Sequence, residues 1–271
     1  MAGPERLRAL ILVAGAAAAL QLHAAPAAAE GSPKDKEEEL GQEVFKELKV
    51  KGEIIESSPL YELLTPIIQP ILQTAQPRYQ HPFKVYLVHE AQPNAFATPG
   101  GGIYVTDALL YFAKSREQLA GTLCHEVAHT VHHDSITLLQ KKKLIAAGEV
   151  GAAILLGPTR AHVLAIALLG HLRSLSYSRQ AEARADLTGS DICAAGDSNP
   201  WGLVWLFRDF KNARKTEIPA LLSDHPNNQA RIDALEKHFR GDAATFGRFD
   251  PKPGSATAFA VPKAVPVVFL R

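Results

Sequence analysis

Neither sign of charge is in excess in this chain. Its 29 Lys and Arg face 28 Asp and Glu, a formal net charge of +1 over 271 residues. No basic surplus is there to draw nucleic acid, and no acidic surplus to keep the chain unfolded. Cysteine is scarce. Cys124 and Cys193 are the whole supply. They either pair, which export would permit, or act as two small buried apolar residues. No internal repeat and no second core-sized segment is visible, and an apolar content of 46% suffices for one sizeable core.

Long uninterrupted apolar runs are also missing beyond the first thirty residues. Residues 144–172 are strongly apolar, but Glu149, Gly157-Pro158, Arg160 and His162 break them. Each half is shorter than the roughly 20 residues a crossing helix needs. Two helices packed over the core is the first expectation. The second is a hairpin touching a membrane, with Lys141-Lys142-Lys143 at the headgroups, so 141–172 is the candidate for peripheral membrane contact. The glycines after Pro99 are not followed by the Lys-Ser/Thr of a phosphate loop.

The chain starts as an exported protein starts. Arg6 and Arg8 precede the apolar run Leu10 to Leu22, and Ala27-Ala28-Ala29 offers a small-residue cleavage site. No Cys follows that run, so a lipoprotein anchor is not indicated. Residues 1–29 are therefore expected to be a signal peptide, 30–245 a catalytic domain and 246–271 a Pro-rich tail. The expected location is the periplasm or cell envelope.

Periodicity places most elements. Leu40, Val44, Phe45 and Leu48 share a helical stripe in 36–50. Residues 59–76 repeat the pattern, with Pro66 and Pro70 expected to kink or interrupt that helix. Phe83 to Val88 alternates as a strand, and Ile103 to Thr106 reads as a second one, forming a hairpin with the segment before Pro99. Ser115 and Gln118 open a capping box for a helix expected from Arg116 to near Lys143. Further helices are expected over 178–193, 201–210 and 227–240. The fold class is α+β, mainly helical, with a small sheet or hairpin beside the 116–143 helix. The tail after Gly241 either adds an edge strand or wraps the surface.

Within that long helix lies His125-Glu126-Val127-Ala128-His129, an H-E-x-x-H motif. Residues four apart share a helical face, so His125 and His129 can turn imidazole nitrogens to one ion. Glu126 lies beside that face, within reach of a water on the ion. His132 sits about 10 Å further along the axis from His125 and cannot join the same ion on a straight helix. The longer motif with a third His on the same segment needs Gly at 132 and His at 135, where this chain has His132 and Ser135. A third ligand must come from elsewhere. Glu182 and Asp186, four apart, are candidates, although carboxylates so spaced can equally pair with Arg179 or Arg184.

Four motifs in order resemble those of the HtpX-like, BepA-like and CAAX-prenyl-protease-like zinc metallopeptidases, which are gluzincins. Asn94 to Gly101 is similar to N-A-F-A-x-P-G-G, and His125 to His129 is the zinc motif. Glu182 to Asp186 is similar to E-x-x-A-D, and His225-Pro226 with Arg231-Ile232 to H-P-x-x-x-x-R-I. The chain departs from the family at His133-Asp134, where Arg-His is frequent. The resemblance covers about residues 36 to 240. It implies a zincin-like core, one Zn²⁺ per chain and a metalloendopeptidase. Within it, Glu182 maps to the third ligand beside His125 and His129, and Asp186 to a carboxylate that orients a ligand ring. Glu126 is then the general base, with Arg231 pairing Asp186 or the substrate backbone. His225 donates to the oxyanion, blocks the open position at rest, or is an ordinary loop histidine. Ile103, Tyr104 and Val105 are expected to hold an extended peptide by edge pairing. The substrates implied are misfolded or membrane-associated proteins of the envelope. A chaperone-like binding module with minor proteolysis is the alternative.

Overall fold

A computed structural model describes residues 33–146, 159–172, 177–212, 225 and 229–271. The expected signal peptide, residues 147–158 of the apolar stretch, and Asp224 and Pro226 lie outside these residues. Helix α1 (Pro33–Val50) buries Leu40, Val44 and Leu48, each four residues from the last. Helix α2 (Leu60–Ala75) buries Leu60, Leu64, Ile67, Ile68 and Ile71. It runs unbroken through Pro66 and Pro70, against expectation. Pro66 lies on the exposed face, where water can take the carbonyl its missing N–H leaves over, and the apolar stripe holds the helix to the core.

Among the described residues the sheet has five strands in the order β3-β4-β2-β1-β5. They are β1 (Ile54–Ser57), β2 (Lys84–Val88), β3 (Ala95–Ala97), β4 (Gly102–Thr106) and β5 (Val268–Phe269). β2 and β4 run parallel, and the other pairs antiparallel. Side chains alternate between two cores. Ile55, Leu87, Ala95, Ala97, Ile103 and Val105 face the core built with α2 and α4 (Arg116–Val131). Ile54, Val88, Phe96 and Tyr104 face α1 and α6 (Thr159–Leu172). β1 was not anticipated: four residues, Ile54-Ile55-Glu56-Ser57, carry too little alternation to announce a strand.

β4 has β3 on one side and β2 on the other, so Ile103, Tyr104 and Val105 cannot pair with a peptide edge to edge. The outer strand on that side is β3, a correction to the expected substrate strand. The tail does both things considered for it. Arg116 N–H donates to Thr257 O and Phe259 N–H to Lys114 O, and Leu270 N–H then reaches Ile54 O as β5 joins β1.

Thr106 caps α3 (Asp107–Phe112), and Ser115 Oγ caps α4 (Arg116–Val131) by accepting from Gln118 N–H at 3.1 Å. Every residue of α4 from Gln118 to Thr130 is buried. Helices α7 (Arg179–Ala195) and α8 (Trp201–Asn212) lie directly on it. A Cβ on Gly189 of α7 would sit 2.9 Å from Cys124 O, and one on Gly202 of α8 only 1.9 Å from Glu117 O. α9 (Gln229–Gly241) then packs on α7 and α8, followed by one short turn, α10 (Ala243–Phe246).

A disulfide joins Cys124 of α4 to Cys193 of α7, with Cα atoms 5.7 Å apart. It closes a separation of 69 residues, so Cys193→Ala is expected to lower stability by about 2–4 kcal/mol. Urea unfolding with and without reductant checks this. Reductant should cost the wild type a similar amount and the variant nothing more. Equal curves for all four samples would leave the two thiols as packing alone.

The helix expected to run from Arg116 to Lys143 is two helices. α4 ends at Val131, and α5 (Asp134–Ala146) starts after His132 and His133. His133 is the hinge, with φ of +53°, a left-handed conformation that a non-glycine residue adopts at some cost. Among the described residues no helix is long and apolar enough to cross a membrane.

Candidate metal centre

Helix α4 brings His125 and His129 to one point, their Nε2 atoms 3.0 Å apart. α7, held against α4 by the Gly189 contact, puts Glu182 beside both. Its Oε2 is 3.4 Å from His125 Nε2 and its Oε1 3.7 Å from His129 Nε2. His225, just ahead of α9, closes the group, with Nδ1 3.2 Å from His125 Nε2 and 2.9 Å from Glu182 Oε1. The four donor atoms lie within 4.8 Å of one another, and all four residues are buried.

This donor set fits a zinc ion. Two or three imidazoles with a carboxylate are zinc's usual ligands, and bonds of 2.0–2.1 Å in a tetrahedron separate neighbouring donors by about 3.3 Å. The spacings here bracket that value. The charge also suits a divalent cation. Four carboxylates gather here, Glu126, Glu182, Asp186 and Asp134, against two guanidiniums, Arg231 paired with Glu182 and Asp186 and Arg184 with Asp134, an acidic excess of two before the imidazoles are counted.

Partners behind the four residues aim the rings. Asp186 Oδ1 is 3.1 Å from His125 Nδ1. Asp134 Oδ2 is 2.9 Å from His129 Nδ1. The Asp134 bond fixes the His129 tautomer whose Nε2 lone pair points at the ion, and the Asp186 carboxylate favours the same tautomer of His125 by its charge beside Nδ1. Arg231 locks the other side of the site. Its Nε and one amino group donate to both oxygens of Asp186 at 2.7 and 2.6 Å, and its other amino group lies 2.9 Å from Glu182 Oε2. The guanidinium stacks over the Phe207 ring at 4.5 Å. Arg184 pairs not with Glu182 or Asp186 but with Asp134. Tyr177 stacks on the His129 ring, centroids 4.1 Å apart, and its hydroxyl hydrogen-bonds Ser135 Oγ.

The titrations show the same field. Burial disfavours charge on His125, yet Asp186 and Glu182 beside it push its pKa up to about 9. Burial, and after it the electrostatic influence of the His125 and His225 rings, pulls His129 well below the ordinary value. Burial opposes ionisation of Glu182, but His225 and His125 hold it well below the usual carboxylate range. Asp186 is likewise lowered, chiefly by Arg231, against its burial. Asp134 is raised by burial, with Arg184 cancelling part of the rise.

Glu126 is 1% exposed, and its Oε1 lies 3.3 Å from His225 Nε2. His132 and His133 stay out of the group. His132 Nε2 bonds Thr188 Oγ1 at 2.8 Å, and His133 turns to Glu37. Asp134, Tyr177 and Arg184 were not singled out from the sequence as parts of the site. On the continuous helix expected there, Asp134 lies about 140° around the axis from His129, so periodicity pointed away from it.

The family model of peptidase family M48 matches residues 62–238, which hold β2 to β4, α4, α7 and most of α9. The chain is 28% identical over 160 residues to mitochondrial metalloendopeptidase OMA1 of Schizosaccharomyces pombe, covering 57% of this chain and 46% of that one. To OMA1 of Saccharomyces cerevisiae it is 26% identical over 163 residues, covering 57% and 46%. To the beta-barrel assembly-enhancing protease of Escherichia coli it is 27% identical over 161 residues, covering 56% and 33%. The match therefore spans less than half the length of each of these relatives.

Proposed function

This chain belongs to peptidase family M48, a metalloprotease hydrolase, and from that premise we propose a zinc metalloendopeptidase acting on misfolded or membrane-associated proteins of the cell envelope. The observation that carries the metal assignment is the buried group of His125, His129, Glu182 and His225. His125, His129 and Glu182 hold one Zn²⁺ per chain. Bound there, zinc supplies a Lewis acid that brings a water's pKa near 7 and polarises the scissile carbonyl.

The chain's own groups do the rest. Glu126 takes the proton of the attacking water and returns it to the leaving amine. Asp186 and Asp134 keep the His125 and His129 rings in the ligating tautomer, and Arg231 holds Asp186 and Glu182 in place. His225 either closes the site before substrate arrives, through the Nδ1 that lies 2.9 Å from Glu182 Oε1, or donates to the oxyanion through its Nε2, 3.3 Å from Glu126 Oε1. β3, the outer strand nearest α4, receives an extended peptide through its backbone.

Two observations support the substrate class and location: the leader-like residues 1–29 and the outward face of α6. On that helix Val163 and Ile166 are 47% and 44% exposed, as a peripheral membrane contact needs. The partners are protein or peptide substrates, with no nucleic acid. The test is metal analysis with a casein assay. About one zinc per chain is expected, with cleavage lost in chelator and restored by zinc. Undiminished cleavage in chelator would end the proposal.

A further inference from the structure

We infer that Glu37 is a positioning residue for the His129 imidazole, acting through His133 and Asp134. This rests on His129 being a metal ligand. Glu37 lies on α1, outside the stretch matched by the family model. It is buried, and both its oxygens are engaged. Oε2 accepts from the Tyr79 hydroxyl at 2.8 Å, and Oε1 lies 2.7 Å from His133 Nδ1. The aim of Glu37 is set by how closely α1 docks. A Cβ on Gly41, one turn further on, would meet Pro99 O at 2.2 Å, so that helix rests directly on the turn before β4. Tyr79 ties the same turn in by accepting from Gly100 N–H at 3.0 Å.

What Glu37 holds is a backbone conformation. His133 has φ of +53°, and a side chain stays in that region only where its surroundings insist on it. The bond to Glu37 and the Tyr79 ring, 5.4 Å from the imidazole, supply that insistence. The left-handed residue separates α4 from α5. Without the break, the helix-forming sequence would run straight on and carry Asp134 about 140° away from His129. With it, the helix stops at Val131 and Asp134 Oδ2 reaches His129 Nδ1 at 2.9 Å. Glu37 thus controls, at one remove, which nitrogen of His129 faces the metal.

Zinc affinity of the full chain, measured by competition with a chromophoric chelator, tests the link. Glu37→Ala is expected to weaken zinc binding about tenfold, as loss of a ligand's orienting partner does. Adding His133→Gly, which adopts positive φ freely, should restore affinity to within about twofold of wild type. Asp134→Ala should lose about tenfold and gain nothing from His133→Gly. If Glu37→Ala binds zinc like the wild type while Asp134→Ala is weakened, the role of Glu37 is wrong and the metal site stands. Failure of His133→Gly to rescue also overturns it. If the wild type binds no zinc, His129 is not a ligand and the foundation goes. Should Glu37→Ala fail to fold, His133→Ala and His133→Gly read the same link with Glu37 in place. Alanine should lose about tenfold and glycine should not; equal affinities overturn the inference.

Discussion

Glu126→Gln is expected to cut casein cleavage by about 10²- to 10⁴-fold, the usual worth of a general acid–base group, while zinc content stays at the wild-type level. Glutamine keeps the shape of the side chain in a position that is 1% exposed, so the packing of α4 should not change. It also keeps an oxygen near His225 Nε2, 3.3 Å from the carboxylate now. What it loses is the ability to take up a proton. Glu126 is not among the four residues whose donor atoms converge, so metal content separates its role from theirs. Normal turnover in the variant would remove Glu126 as the base, and a loss of zinc would make it part of the ion's cage instead.

Arg231→Leu should lower the stability of the metal-free chain by about 3–5 kcal/mol, the cost of stranding buried charge. Asp186 and Glu182 are 3% and 4% exposed at their side chains, and Arg231 is paired with both. Leucine removes the cation and leaves the two carboxylates facing each other with only imidazoles between them. The platform on Phe207 is lost as well. Arg231→Lys should fall between, since an ammonium keeps the charge but not the fork that spans Asp186. Excess zinc should recover part of the deficit, because an ion bound only to the folded state stabilises it by mass action. Urea unfolding of metal-free and zinc-loaded protein measures all of this. A leucine variant as stable as wild type would show that Arg231 does not hold the site together.

The residues of the metal centre could be read in part from the sequence because two of them are local to one another. His125 and His129 are one turn apart, and their relation needs only a helix, which Ser115 and Gln118 announce. Spacing alone leaves Glu182 one candidate among others, and only resemblance singles out Arg231. Nothing in their own spacing distinguishes them from surface ion pairs, and Arg184, equally eligible, turns to Asp134 instead. The two prolines of α2 misled for a related reason. A proline's cost depends on whether its orphaned carbonyl faces water, and that depends on which face of the helix the core covers. β1, with four residues, exists because β2 and β5 flank it.

Local order was within the sequence's power: helical stripes, the cap of α4, the alternation of β2 and the imidazole pair all follow from interactions a few residues long. Tertiary structure alone decided the rest. It placed β4 inside the sheet and β3 at its rim, paired Cys124 with Cys193, and broke the helix at His133 so that Asp134 turned to His129. Each of these joins groups far apart in the chain or sets a local preference aside. A strained φ or a buried charge persists only when packing from other elements holds it, and a sequence pattern carries no record of which elements those are.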